Sequence, residues 1–279
     1  MILPDDELEA FIDRVLAEDL GDSGDITSNS VIPQDARFSA AMVAREALVV
    51  AGLEVALAII RRLAPDCVAE VQAGDGAEVE AGDTLACIEA PARGLLAAER
   101  AALNTLQHLS GIATETRRYV RRLDGTRAVL LDTRKTHPGL RRLEKYAARI
   151  GGARNHRMGL YDAVLIKDNH IAVAGGITAA VAAARRAGHD DIEVECDTLD
   201  QVEEALAAGA DRLLLDNMDT DALRQAVARV NGRVPLEASG GVTLETIRAI
   251  AEAGVDFISV GRITQSAPAV DIGLDYDLG

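Results

Sequence analysis

From residue 128 onward the chain repeats one unit: a short run rich in Val, Ile and Leu, a polar residue at its end, then a stretch of helical periodicity. Runs at 128–131, 163–166, 192–195, 212–215, 234–237 and 257–260 predict six strands separated by helices. Such alternation demands a parallel sheet, because each helix must carry the chain back to the starting edge. Asp132, Lys167, Glu195, Asp216, Glu237 and Gly261 mark the run ends, and the intervals between them are 35, 28, 21, 21 and 24 residues. The last four each suit one strand–helix unit. In parallel α/β folds the carboxyl ends of the strands face the binding site. Six units in about 150 residues fall short of an eight-stranded barrel of about 250. The predicted fold class is therefore α/β, with an N-terminal α+β domain followed by an incomplete α/β barrel of about six parallel strands.

The first part of the chain reads differently. Leu8, Phe11, Ile12, Val15 and Leu16 recur at helical spacing after Pro4, predicting a first helix that ends near Gly21, and residues 22–29 read as turn. Residues 37–50 favour strand, 52–63 helix, 67–90 short strands broken by Gly-Asp turns, and 95–123 one long helix. The expected domains are 1–114, an α+β domain with a hammerhead-like segment at 75–88, and 115–279, the barrel. A tail from about 266 is expected to pack back on the N-terminal domain. A hammerhead that carries a biotinyl or lipoyl group needs a lysine at a hairpin tip, yet no lysine precedes residue 135. That segment is read as structural.

Composition limits the function. With 279 residues and 48% hydrophobic content, the chain can bury a substantial core. A net charge of −16, no tryptophan and 3% aromatics argue against nucleic acid, which calls for a broad basic face and stacking platforms. The most apolar stretch, 47–64, is broken by Glu54 and Arg61, so no membrane span is expected, and the acidic start does not resemble a secretory signal. Three cysteines without metal-ligand spacing suggest free thiols and a cytoplasmic location.

Within this acidic chain sits one cationic island. Only three of the 29 basic residues are lysines, and all three (Lys135, Lys145, Lys167) fall within residues 134–170, beside His137, His156 and His170. Thr133, Arg134, Lys135, Asn155, His156, Arg157 and Lys167 suit a small ligand bearing several carboxylates or phosphates. Guanidinium groups bind carboxylates bidentately, and lysine neutralises phosphate as a point charge. Arg141, Arg142, Lys145 and Arg149 lie at helical spacing and read as a solvated helix face. Glu195 and Asp216, at neighbouring strand ends, offer the hard oxygens that Mg2+ prefers; the alternative is helix capping or pairing with arginine. Ser239, Gly240, Gly241 and Gly261 follow the last two strands, where bare backbone N–H groups receive phosphate in barrel enzymes; the alternative is tight turns.

Longer motifs carry a resemblance. They are Glu-Asp-Leu-Gly-Asp (18–22), Asp-Ile-Thr (25–27), Glu-Arg (99–100) to Asn104, Leu-Ser-Gly-Ile-Ala-Thr (109–114), Asp-Thr-Arg-Lys-Thr (132–136) and Pro-Gly-Leu-Arg (138–141). They continue with Lys-Tyr-Ala (145–147), Asn-His-Arg (155–157), Leu-Ile-Lys-Asp-Asn-His (165–170), Glu-Val-Glu (193–195), Leu-Leu-Asp-Asn-Met (214–218), Glu-Ala-Ser-Gly-Gly (237–241) and Ser-Ala-Pro (266–268). In these the chain resembles the quinolinate phosphoribosyltransferases, or carboxylating nicotinate-nucleotide pyrophosphorylases.

The resemblance implies a two-domain enzyme that transfers phosphoribose from 5-phosphoribosyl 1-diphosphate to quinolinate, releasing CO2, in NAD biosynthesis. It implies a homodimer with shared active sites, possible higher assembly, and Mg2+. It assigns Arg134, Lys135, His156 and Arg157 to the pyridine dicarboxylate, with Arg100 reaching in from the partner subunit. Lys167, Glu195 and Asp216 fall to the Mg2+-bound phosphoribosyl diphosphate, and Ser239, Gly240, Gly241 and Gly261 to its 5-phosphate. Lys135, Lys167, Glu195 and Asp216 form the expected catalytic set. His137, Ala153, Arg262 and Gln265 depart from the family pattern. Two other readings stay open from sequence: a related phosphoribosyltransferase of molybdate-operon type with another aromatic acid, and an aldolase using Lys167 as a Schiff base.

Overall fold

The computed structural model describes residues 3–276. They fall into two compact units: one extends to Glu115 and takes in Arg142–Gly151 and the stretch from Ala267, and the other comprises Thr116–Arg141 and Gly152–Ser266.

The first unit opens with α1 (Asp5–Leu20), whose N-terminal acids suit the positive end of the helix dipole and whose Phe11, Ile12 and Leu16 are buried. Residues 22–29 are not all turn. The Asp25 side chain accepts the N–H groups of Thr27 and Ser28 and starts a short helix, α2 (Ile26–Val31), so the turn-forming composition conceals an N-cap. The expected strand at 37–50 is two strands, β1 (Arg37–Ala44) and β2 (Leu48–Val49), and α3 (Leu53–Leu63) follows. Asp75 accepts from the N–H groups of Gly52 and Leu53 at 2.8 and 3.0 Å, capping α3. Next come β3 (Val68–Val71), β4 (Glu78–Val79), β5 (Thr84–Pro91) and the long α4 (Ala92–Arg122), which belongs to this unit as far as Glu115.

β1 pairs antiparallel with β5, and β5 with β3, while β2 pairs with β4. In the C-terminal tail β12 (Ile272–Tyr276) adds to the free edge of β1, and Arg45 is ion-paired with Asp275. Alternate residues of β1 and β5 and one face of α3 point inward, so Ala44, Leu57, Ile59, Ile60 and Leu85 are fully buried. Each such Leu or Ile contributes about 1.5–3 kcal/mol.

The second unit holds β6 (Val129–Leu131), β7 (Val164–Ile166), α6 (Asp168–Ala174), α7 (Ile177–Arg186), β8 (Ile192–Cys196), α8 (Leu199–Ala207), β9 (Arg212–Asp216), α9 (Thr220–Val230), β10 (Leu236–Ser239), α10 (Ile247–Glu252), β11 (Phe257–Ser259) and α11 (Arg262–Gln265). The sheet order is β6-β11-β10-β9-β8-β7, every pair parallel, which is the incomplete barrel expected. At the β6 edge Arg154 forms an isolated parallel bridge to Leu131. Three residues later the Arg157 guanidinium donates to the carbonyl of Ala163, beside the opposite edge strand, at 3.1 Å. Residues 154–157 thus tie both edges of the open sheet.

The long first interval, 35 residues, has a structural explanation. It contains α5 (Arg141–Gly151), whose residues from Arg142 onward leave the expected 115–279 domain for the first unit. There Arg142 pairs with Glu7 at 3.1 Å, Glu144 with His108 at 2.9 Å, and the Tyr146 hydroxyl donates to Asp75 at 2.6 Å. The face read as solvated is mixed. Arg142 and Arg149 are exposed, but Lys145 is fully buried and Arg141 half-buried.

Candidate active site

Twelve of the fourteen expected site residues line one cavity of about 600 Å3 in the second unit, a size that suits a small-molecule site. Arg100 and Asn155 are the exceptions: Arg100 lies exposed on α4, in the first unit, and the Asn155 side chain donates to Asp132. The cavity opens at the carboxyl ends of the parallel strands, where side-chain alternation sets its wall. Residues two apart share a face, so Glu193 with Glu195, Leu214 with Asp216, and Glu237 with Ser239 all turn the same way.

One pole is cationic. Thr133 opens the loop after β6, and its hydroxyl accepts the Lys135 N–H at 3.0 Å. Arg141 braces that loop from behind, donating to Thr136 Oγ1 at 3.0 Å and to the carbonyls of Arg134 and Met158. Arg134 Nε is buried without a hydrogen-bond partner among the described residues, an orphaned donor of the kind an anion would satisfy. Burial, and then the neighbouring Arg134, push the Arg157 guanidinium below its ordinary range. Two guanidiniums that repel each other in a partly dry cavity are relieved by a carboxylate.

The other pole is anionic. Lys167, the first residue past β7, is ion-paired with Glu195 of β8. Asp216 ends β9, the next strand, and accepts from Asn217 Nδ2 at 2.5 Å. Burial raises the Asp216 carboxyl above the usual carboxylate range, and the negative charge of Glu195 adds to the rise. A hard carboxylate raised by its acidic neighbour fits a divalent cation such as Mg2+, which removes that repulsion.

Around the rim, the loops after β10 and β11 bring bare backbone close. Gly240 sits at φ +92°, and a Cβ there would overlap Asn217 Oδ1. A Cβ on Gly261 would stand 2.7 Å from Lys135 Cδ, so the missing side chain lets Lys135 lie against the β11 loop. The backbone N–H groups of Gly240 and Gly241 are thereby available to a phosphate.

Two acids outside the expected set belong to the site. His156 Nε2 stands 3.3 Å from Oε2 of both Glu193 and Glu237, while its Nδ1 accepts the Arg157 N–H at 2.7 Å. Burial disfavours a charged ring, but the two carboxylates outweigh it and lift the His156 pKa to about 9, against the Arg157 N–H bond that a proton on Nδ1 would break. Glu237 lines the cavity and is fully buried. Its place in the Glu-Ala-Ser-Gly-Gly motif, two residues before Ser239 and so on the same strand face, was the available signal. Arg262 and Gln265, two of the departures from the family pattern, also line the cavity.

Residues 25–110 match the N-terminal domain and residues 112–275 the C-terminal domain of quinolinate phosphoribosyl transferase. The chain is 44% identical, over 98% of its own length and 100% of the relative's, to nicotinate-nucleotide pyrophosphorylase [carboxylating] of Mycobacterium leprae. It is 42% identical, over 98% and 94%, to a probable enzyme of the same name in Bacillus subtilis. The structure of nicotinate-nucleotide pyrophosphorylase from Francisella tularensis superposes with a TM-score of 0.94 at 40% identity, covering 99% of this chain and 98% of that one. The corresponding Ehrlichia chaffeensis structure gives 0.92 at 43% identity, covering 99% and 100%. Among the described residues no helix is long and apolar enough to cross a membrane. In sequence and in fold, this chain belongs to the quinolinate phosphoribosyl transferase family.

Proposed function

We propose that this chain transfers phosphoribose from 5-phosphoribosyl 1-diphosphate to the ring nitrogen of quinolinate and releases CO2, yielding nicotinate mononucleotide and pyrophosphate for NAD synthesis. The observation that carries the reading is the polarity of one cavity: paired guanidiniums at one end, paired carboxylates with Lys167 at the other, and open glycine backbone at the rim. A planar diacid suits the first, a metal-bound sugar diphosphate the second, and its 5-phosphate the third.

Arg134 and Arg157 hold the two ring carboxylates and so aim the pyridine nitrogen at the anomeric carbon. Two polyanions that would repel each other in water are paired in a fixed geometry, and this orientation supplies much of the rate. Lys167 places positive charge where the departing diphosphate gathers negative charge. Glu195 and Asp216 would hold Mg2+, whose chemistry is to neutralise the diphosphate and improve it as a leaving group. As the sugar–oxygen bond opens, the nitrogen captures an oxocarbenium-like carbon. The nitrogen then carries positive charge and stabilises the electron pair left at the adjacent carbon when CO2 departs; that pair takes up a proton from water, so no side chain need act as a strong base.

The engagement of Lys167 with Glu195 weighs against a Schiff-base role, which needs a neutral amine. The reading includes a cytoplasmic enzyme working as a homodimer, in which Arg100 of a second copy completes the dicarboxylate site. No nucleic acid or membrane enters it. Incubation of the purified protein with phosphoribosyl diphosphate, Mg2+ and carboxyl-labelled quinolinate should release labelled CO2. Nicotinate in place of quinolinate should give no mononucleotide, and turnover of nicotinate or of another aromatic acid alone would displace the assignment.

A further inference from the structure

One buried cluster in the cavity wall has no part in the chemistry above. Glu237 is fully buried, and neither of its carboxylate oxygens has a hydrogen-bond partner among the described residues. Its Oε2 stands 3.3 Å from His156 Nε2, and Glu193 Oε2 stands at the same distance from the other side. Two carboxylates without solvent around a single nitrogen are unfavourable unless the arrangement does something. The other ring nitrogen, Nδ1, accepts the Arg157 N–H at 2.7 Å, and the His156 N–H donates to Asp132 Oδ1 at 2.8 Å. The ring is therefore gripped at both ends, and each nitrogen already faces a protein partner.

From this geometry we infer that Glu237, with Glu193, is a positioning residue for the acceptor end of the site. The two carboxylates fix the His156 ring, and the ring fixes the backbone of Arg157, whose guanidinium meets the dicarboxylate. His156 then serves the acceptor through Arg157 and not by offering a ring nitrogen to it. The inference rests on the reading of the cavity as a pyridine dicarboxylate site. Arg157 is also pinned from its far end by the Ala163 carbonyl, so a small turn of the His156 ring displaces the middle of a side chain held at both ends.

The test uses Glu237→Gln, His156→Asn and the double variant, with quinolinate affinity measured by calorimetry and the KM for phosphoribosyl diphosphate measured in steady state. Glu237→Gln should weaken quinolinate binding about tenfold, as the 3.3 Å charge contact to the His156 ring is lost, and leave the donor KM unchanged. The double variant should bind no more weakly than His156→Asn alone, because both substitutions break one chain of contacts. Losses that add, or donor and acceptor constants that move together, would overturn the proposal. So would a tightly held metal ion lost on Glu237→Gln, since the three groups would then be ligands. Should Glu237→Gln unfold, Glu193→Gln takes its place in the cycle. Wild-type protein that binds no pyridine dicarboxylate would overturn the reading of the cavity itself, and this inference with it.

Discussion

Lys167 of the β7 end is ion-paired with Glu195 of the neighbouring β8, the lysine side chain 43% exposed and the carboxylate only 8%. A half-exposed cation leaning on a buried acid can turn toward a ligand without leaving an uncompensated charge at the surface, whereas the acid stays put. Substitution of the two cationic types should therefore give different kinetics. Lys167→Ala should lower kcat by about 10²–10³ with little change in quinolinate affinity. Arg134→Ala should weaken quinolinate binding by about 10- to 100-fold, as expected for a lost charge-assisted pair. Steady-state kinetics beside a binding titration separates them, and equal effects on both constants would contradict the assignment.

Asp216→Asn removes one of the two mutually repelling carboxylates. The Mg2+ concentration for half-maximal rate should rise about tenfold or more, since a hard ligand is lost. A Mg2+ titration that matches wild type would take Asp216 out of the metal site.

The two rim glycines should respond differently. Gly240→Ala places a Cβ onto Asn217 at a positive φ, and should cost about 2–4 kcal/mol in urea unfolding. Gly261→Ala overlaps the flexible end of the Lys135 chain and otherwise makes ordinary contact, with Thr133 Oγ1 at 3.4 Å, so unfolding should be close to wild type while the KM for phosphoribosyl diphosphate rises. Equal stability of both variants would contradict the close approach seen after β10.

Stability should fall between neutral and alkaline pH. The His156 pKa is raised in the folded protein from 6.5 to about 9, so its contribution is complete below pH 6.5 and is lost as pH climbs to 9. The size is at most roughly 3 kcal/mol, and less because Nδ1 already accepts the Arg157 N–H. Urea midpoints at pH 6 and pH 9.5 should diverge for wild type and converge for His156→Asn. The same alkaline loss in both proteins would rule out His156 as its source.

In the first unit, Tyr146→Phe deletes the hydroxyl that donates to Asp75, the acid capping α3. A loss of about 1.5–3 kcal/mol is expected. Substrate constants should not move, and a change in them would mean that the Tyr146 contact, and not only Arg141 at the start of α5, matters for binding.

The six strands were legible because buried parallel strands are short runs of branched apolar residues, and the site was legible because polar residues interrupt those runs where the strands end. The boundaries of β10 moved by two residues since Pro235 lies inside the predicted run but cannot donate to a ladder. What stayed hidden depends on partners far away in sequence. The charged face of α5 has the same period whether it meets water or protein, so the burial of Lys145 could not be read from spacing. Glu237 resembled a strand-end acid like Glu195, and only folding shows that His156 stands beside it.

The sheet stops two strands short of a closed barrel, and residues 154–157 lace the gap, bonded to β6 by backbone and to the start of β7 by the Arg157 side chain. The stitch that holds this seam is also a hand on the acceptor. A lineage that altered Arg157 to welcome a different ring would loosen its own hoop, so drift in acceptor choice should come first from the loop bearing Arg134, which can change without unlacing the wall.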